Sequence, residues 1–166
     1  MSVNTSATSL DPSDQVADNS AEQAARQAWL SILAKAPTAR LCELWSKAGL
    51  SPAHDILRAP EVGAVMVQGR AGATGAAFNL GEMSVTRCSV QLSDGPVGHG
   101  YVQGRSKDHA RIAALVDALM QTDQAIQLRA AILRPLEQEE AAASATRQAK
   151  AAATKVEFFT MARGED

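Results

Sequence analysis

Residues 62–105 carry one extended segment after another with no helical period between them, and nothing else in the chain restricts the fold as much. Strands that follow one another without a crossover helix pair antiparallel. Residues 62–69 (VGAVMVQG) are small and almost continuously apolar, the pattern of a strand covered on both faces. A glycine-rich loop, Arg70-Ala71-Gly72-Ala73-Thr74-Gly75, comes next. Along residues 80–92 the apolar positions then change parity: Met83 and Val85 share one face, whereas Cys88, Val90 and Leu92 share the other. Side chains of a strand alternate with period two, so the switch calls for a bulge or break near Thr86-Arg87. Asp94-Gly95 is a hairpin signal, and residues 97–104 (VGHGYVQG) read as the returning strand. A short alternating piece at residues 54–59, ended by Pro60, suits an edge strand and brings the sheet to about four strands.

Helical patterns flank this sheet. Trp29, Ile32, Leu33 and Ala36 recur at helical spacing until Pro37. Leu41, Leu44, Trp45 and Ala48 form a second stripe, with Gly49 placed as a C-cap. The pair reads as a helical hairpin whose tryptophans belong to the core. Residues 107–120 are the best helix of the chain, with Ile112, Leu115, Val116 and Leu119 on one face. Residues 122–136 are weaker and meet a boundary at Pro135; residues 137–155 are alanine-rich, with helix propensity and little area to bury. The architecture expected is α+β: an antiparallel sheet of about four strands, an N-terminal helical hairpin and C-terminal helices. Residues 1–20 are polar and read as a disordered arm, leaving residues 21–166 as one domain. The apolar end, with Phe158, Phe159 and Met161, has two readings: a last strand on this chain's own sheet, or an anchor for another subunit.

The charge of −2 over 166 residues, with signs interspersed, argues against nucleic acid as the main partner. The chain shows neither a spanning apolar run nor a signal-peptide pattern, so no membrane is expected and the location expected is cytoplasmic. Cys42 and Cys88 stand alone, without the spacing of a metal site, and read as buried thiols. Candidate anion or interface contacts are Arg70 with Gly72, Thr74 and Gly75, whose backbone N–H groups could converge, Arg87 at the parity switch, and Arg105 before the strong helix. The loop lacks the Lys-Ser or Lys-Thr of a Walker motif. Ser106 fits an N-cap, and His54, His99 and His109 have no sequence neighbour that would make a nucleophile and base pair.

Several separated segments together, Arg70…Gly72-x-Thr74-Gly75…Phe78-Asn79-Leu80-Gly81-Glu82, Val85-Thr86-Arg87-Cys88, Gly104-Arg105, Ala113-x-x-Val116-Asp117-Ala118-Leu119 and Phe158-Phe159-Thr160-Met161-x-Arg163-Gly164, resemble the PhnG family over residues 24–164. Ala73 and Ser106 depart from the family's usual glycine and aspartate. The resemblance implies a subunit of the bacterial carbon-phosphorus lyase system, which breaks down phosphonates. It implies a part in the step that transfers the ribose triphosphate of MgATP to methylphosphonate with release of adenine. The implied partners are PhnH-like, PhnI-like and PhnJ-like core subunits and PhnL-like and PhnK-like ATPase subunits. The iron-sulfur cluster and S-adenosylmethionine of the later cleavage belong to the PhnJ-like partner, and no cofactor is expected on this chain alone. No complete catalytic set is visible, so the role expected is accessory or scaffolding. The other reading is an independent phosphonate- or nucleotide-binding module.

Overall fold

A computed structural model describes residues 12–72, 74–93 and 95–154. The elements run α1 (Pro12–Lys35), α2 (Thr38–Ala48), β1 (His54–Arg70), β2 (Ala77–Leu92), β3 (Val97–Gln103), α3 (Lys107–Leu119), α4 (Ala125–Leu128), a π-helical turn (Arg129–Leu133) and α5 (Arg134–Ala153). This is the α+β arrangement expected, with the three strands in the order β1-β2-β3, all antiparallel. Helix α1 begins at Pro12, so residues 12–20 extend the first helix where an arm was expected; residues 1–11 lie outside the described residues.

The sheet has three strands rather than about four because residues 54–59 and 62–69 are one strand, running through Pro60. Register shifts at Ile56/Arg58 and Arg58/Glu61 take up the irregularity. A proline removes a ladder donor, which an edge strand with bulges tolerates. Those bulges sit in β1, opposite the position where one was expected in β2; β2 itself pairs with β3 without a shift from Val85 to Gln91.

Helix α3 is the centre of the body. Ten of its residues are buried, including Ile112, Leu115, Val116 and Leu119. The seam between α3 and β3 is made by small residues: a Cβ on Gly98 would stand 2.0 Å from the Ala114 carbonyl oxygen, and one on Gly100 would stand 2.0 Å from that of Ala110. Only glycine lets the strand lie directly on the helix backbone there. The inner face of the sheet contributes Cys88, Val90, Leu92 and Val102 to this core, and Trp29, Leu33, Leu41 and Leu44 close it from the N-terminal helices. Helices α1 and α2 join at Pro37, but each packs mainly elsewhere, α1 on β3 and α3, α2 on α3 and the π-helical turn. Gly49 adopts a left-handed φ of 64° and caps α2 as expected. Pro135 stands at the start of α5 without ending the helix; the preceding π-helical turn re-spaces the backbone hydrogen bonds that a proline disrupts. Beyond Leu136, α5 is almost wholly exposed and meets the body through Arg40–Glu139 and Lys35–Glu140 ion pairs.

Strand β3 pairs with β2 only from Val85 to Gln91, whereas β1 and β2 stay paired out to Arg70 and Ala77. The outer part of the hairpin, roughly residues 61–85, is therefore a two-stranded arm. At 3.3 Å per residue it extends about 25–30 Å beyond the three-stranded region. Residues 62–69 are not covered on both faces: Val62 and Met66 are exposed, and Val65 and Val67 are only half-buried.

Candidate functional site

The open face of the sheet, opposite α3, gathers the polar side chains of all three strands. Arg87 stands between Glu61 on β1 and Tyr101 on β3, and Ser89 stands between Arg58 and His99. The β1 bulge is what brings Arg58 and Glu61, three residues apart, to one face. Glu61 Oε1 accepts from Arg87 Nε and, at 3.2 Å, from Arg58 Nη1. The hydrogen bond from Arg87, reinforced by its charge and that of Arg58, holds the Glu61 carboxyl below the ordinary carboxylate value. One row further along, Ser89 Oγ and His99 Nδ1 are 3.0 Å apart. That pair was invisible to local spacing, but the hairpin about Asp94-Gly95 sets the register that pairs residue 89 with residue 99.

A hydroxyl beside an imidazole is the start of a nucleophile and base arrangement, which needs a third group to orient the ring. Asp117, the carboxylate nearest in the fold, does not do so. Its Oδ2 accepts from the backbone N–H of His99 at 2.8 Å, not from the ring, and from Arg26 Nη2 at 2.7 Å. Its Oδ1 accepts from Trp29 Nε1 at 2.8 Å and Arg26 Nε at 3.1 Å. With four donors satisfied and no exposure, Asp117 is a fastener between α1, α3 and the outer edge of β3. Sequence reasoning missed it; the signal was a carboxylate within the apolar run of α3.

The residues expected to bind anions do not converge. Arg70 and the 71–75 loop are at the tip of the arm, ten residues along β2 from Arg87, a separation of about 30 Å. In the loop, the N–H of Thr74 donates to the Gly72 carbonyl and that of Gly75 to the Ala71 carbonyl, at 2.8 and 2.9 Å, and Arg70 Nη1 donates to the Gly75 carbonyl at 3.3 Å. These N–H groups are spent on closing the turn, which leaves them unavailable to an anion. Arg105 Nε donates to Ser84 Oγ at 3.3 Å. Ser84 and Arg87 differ in strand parity, so the two guanidinium groups lie on opposite faces of β2. Phe158, Phe159 and Met161 lie outside the described residues.

The remaining candidates are structural. Ser106 caps α3, accepting from the His109 N–H at 3.2 Å. His109 is buried, with Nε2 2.8 Å from the Leu33 carbonyl oxygen and Nδ1 3.2 Å from Thr38 Oγ1; burial holds its pKa below the ordinary value. The Cys88 thiol is buried against the Arg58 carbonyl, and burial raises its pKa. Among the described residues no three His, Cys, Asp or Glu side chains come together as a metal site. A cleft of about 570 Å³ between α1 and the end of α3, lined by Glu22, Trp29, Met120 and Gln121, contains none of the expected residues.

The family model described as "Phosphonate metabolism protein PhnG" matches residues 24–164. The chain belongs to the PhnG family. A relative from Rhizobium meliloti (strain 1021), named alpha-D-ribose 1-methylphosphonate 5-triphosphate synthase subunit PhnG, is 43% identical over 146 residues, which span 86% of this chain and 92% of the relative. The sequence resemblance of the first section is thus shown over almost the whole domain. Among the quoted motif residues of this PhnG chain, two groups stand out. Cys88, Val116, Ala118 and Leu119 are body core, Val85 and Thr86 are buried where the arm leaves the body, and Asp117 is the buried fastener, while Arg70, Gly72, Phe78, Leu80 and Glu82 belong to the arm.

Proposed function

We propose that this chain is a subunit of an alpha-D-ribose 1-methylphosphonate 5-triphosphate synthase, acting with PhnH-like, PhnI-like and PhnL-like subunits. The observation that carries this reading is the 43% identity, over most of both chains, to a relative that bears that name. The reaction is displacement of adenine from MgATP by an oxygen of methylphosphonate at the anomeric carbon of the ribose. Two anions must approach each other and a purine must leave, so a site needs several converging cations or N–H dipoles. Arg70, Arg87 and Arg105 point to three different parts of this molecule, and the Ser89–His99 pair has no orienting group among the described residues. We therefore assign catalysis to a PhnI-like partner and an accessory, shaping role to this chain.

The same reading places it in a core assembly with PhnH-like, PhnI-like and PhnJ-like subunits, with PhnL-like and PhnK-like ATPases in attendance. The iron-sulfur cluster and S-adenosylmethionine chemistry falls to the PhnJ-like member. Among the described residues no helix is long and apolar enough to cross a membrane, and the use of ATP fits a cytoplasmic setting.

The test is reconstitution of the cognate subunits with and without this chain, followed by adenine release from ATP in the presence of methylphosphonate. Assembly and adenine release that both require the chain are the expected result. A chain that stays a separate monomer, with adenine release unaffected by its omission, overturns the proposal. Binding of methylphosphonate or ATP by the isolated chain would favour an independent binding module instead.

A further inference from the structure

The arm has apolar side chains that nothing among the described residues covers. Val65, Val67 and Gly69 alternate on one face of β1, opposite Met83, Gly81 and Phe78. The register shift at Val67/Gln68 leaves Leu80 as the extra residue; a Cβ on Gly69 would stand 3.6 Å from the Phe78 ring and 3.9 Å from Leu80. Phe78 and Leu80 are nevertheless 47% and 67% exposed, and Met66, on the other face, is 54% exposed. A two-stranded ribbon is marginal by itself, and apolar area of this extent on a lone ribbon marks an interaction site.

Charge distribution points the same way. Residues 62–86 contain only Arg70 and Glu82 as charged side chains, and the chain has no lysine between Lys47 and Lys107. Free strand edges in water are ordinarily protected by lysine or other charges. The edge of β3 is protected differently: Asp117 takes the His99 N–H, and Arg26 and Gln121 donate to the Val97 carbonyl. Among the described residues neither edge of the arm has such protection, since β1 is the outer strand and β3 stops at Gln103. Phe and Met present, Arg retained and Lys absent is the composition of a protein interface centre.

We infer that the arm, roughly residues 61–85, inserts into a partner subunit of the synthase, in an apolar cleft that contacts both faces of the ribbon and presents an anionic oxygen to Arg70 at its inner end. This rests on the subunit reading above. A ribbon about 30 Å long and 10 Å wide, covered on two faces, provides about 600 Å² before its edges are counted, close to the 800 Å² per partner of a standard interface. Arg70 has no carboxylate partner among the described residues, its one hydrogen bond going to the Gly75 carbonyl.

The test uses full-length chain co-expressed with its cognate synthase subunits, comparing wild type with the double variant Phe78→Ser/Leu80→Ser and with Arg70→Ala. The double variant is expected to bind the partners about a hundred-fold more weakly, and Arg70→Ala about ten-fold. Thermal unfolding of each isolated chain should match wild type, because these side chains touch only the arm. As a second measurement, hydrogen exchange in the arm should slow on assembly of the wild-type complex. Unchanged affinity of the double variant, or arm amides that exchange equally fast in the complex, overturns the inference while leaving the subunit reading intact. Self-association through the arm that persists when partners are present also overturns it, in favour of a second copy as occupant. If wild type itself fails to join the cognate subunits, the subunit reading falls and the arm proposal with it.

Discussion

The two halves of β2 use opposite faces. From Thr86 to Leu92 its even-numbered residues, Thr86, Cys88, Val90 and Leu92, are buried towards α3. From Phe78 to Met83 its apolar side chains lie on the other face, and most are in solvent. The same strand, regular along its pairing with β3, thus serves an internal core in one half and an external surface in the other. Alternation along one strand thus marks two apolar faces, of which only the one towards α3 is covered among the described residues.

The largest difference concerns glycines. Gly100→Val in the body would drive side-chain carbon into the α3 backbone, since even a Cβ there meets the Ala110 carbonyl at 2.0 Å. Loss of most of the folding stability, more than about 4 kcal/mol by urea unfolding, is expected. Gly81→Ala in the arm meets nothing within 4 Å and should change the isolated chain by less than about 0.5 kcal/mol. Equal effects at the two positions would mean that arm and body do not differ as described.

Next comes the fastener. Asp117→Ala strips Arg26, Trp29 Nε1 and the His99 N–H of their shared acceptor at a site with no exposure on the carboxylate side. Unfolding should become easier by about 3 kcal/mol, and the exchange of the His99 amide should accelerate. Removing an arm charge, as in Glu82→Ala, should do neither.

The third effect is pH dependence, and it belongs to the body. His109 favours its neutral form when folded, because burial outweighs the hydrogen bond to the Leu33 carbonyl; its pKa is lowered from the ordinary 6.5. The unfolded chain then binds the proton more readily. Stability from this group is complete above pH 6.5 and falls as the pH drops below it. Thermal unfolding at pH 5.5 should show a lower midpoint than at pH 7.5. His109→Gln should be less stable at neutral pH and lack that share of the slope.

The smallest effect is expected on the open face. Arg87→Ala breaks a pair between exposed side chains and should leave the urea-unfolding midpoint almost unchanged. The Glu61 carboxyl, followed by NMR titration, should rise towards its ordinary value. If adenine release by the assembled complex is also unchanged, Arg87 has no part in the synthase site.

Much of the body was legible from spacing alone. The helical stripes of α1, α2 and α3, the Gly49 cap, the Ser106 cap and the antiparallel pairing all follow from local rules that the structure obeys. The parity switch between Val85 and Cys88 was also legible, but its cause was not. It reads as a bulge because a strand is assumed to have one core; the structure shows two faces used in turn, with bulges in β1 opposite residues 87–90 and in β2 at Leu80. Likewise Pro60 reads as a strand end, since nothing local shows that β1 is an outer strand where a missing donor is tolerated.

The candidate site divides along the same line. Arg70, Thr74, Arg87 and Arg105 were named by residue type, and distance between them is a tertiary quantity that sequence order hides. The sequence by itself determined the element types, the PhnG resemblance and the absence of charge from most of the arm, because each depends on neighbours within a few residues or on motif identity. Tertiary structure alone decided that Asp117 closes the β3 edge, that Ser89 meets His99, and that the candidate arginines stand apart. Those facts arise from pairing across 10 to 91 residues of chain, where contact is set by the folding of the whole sheet against α3.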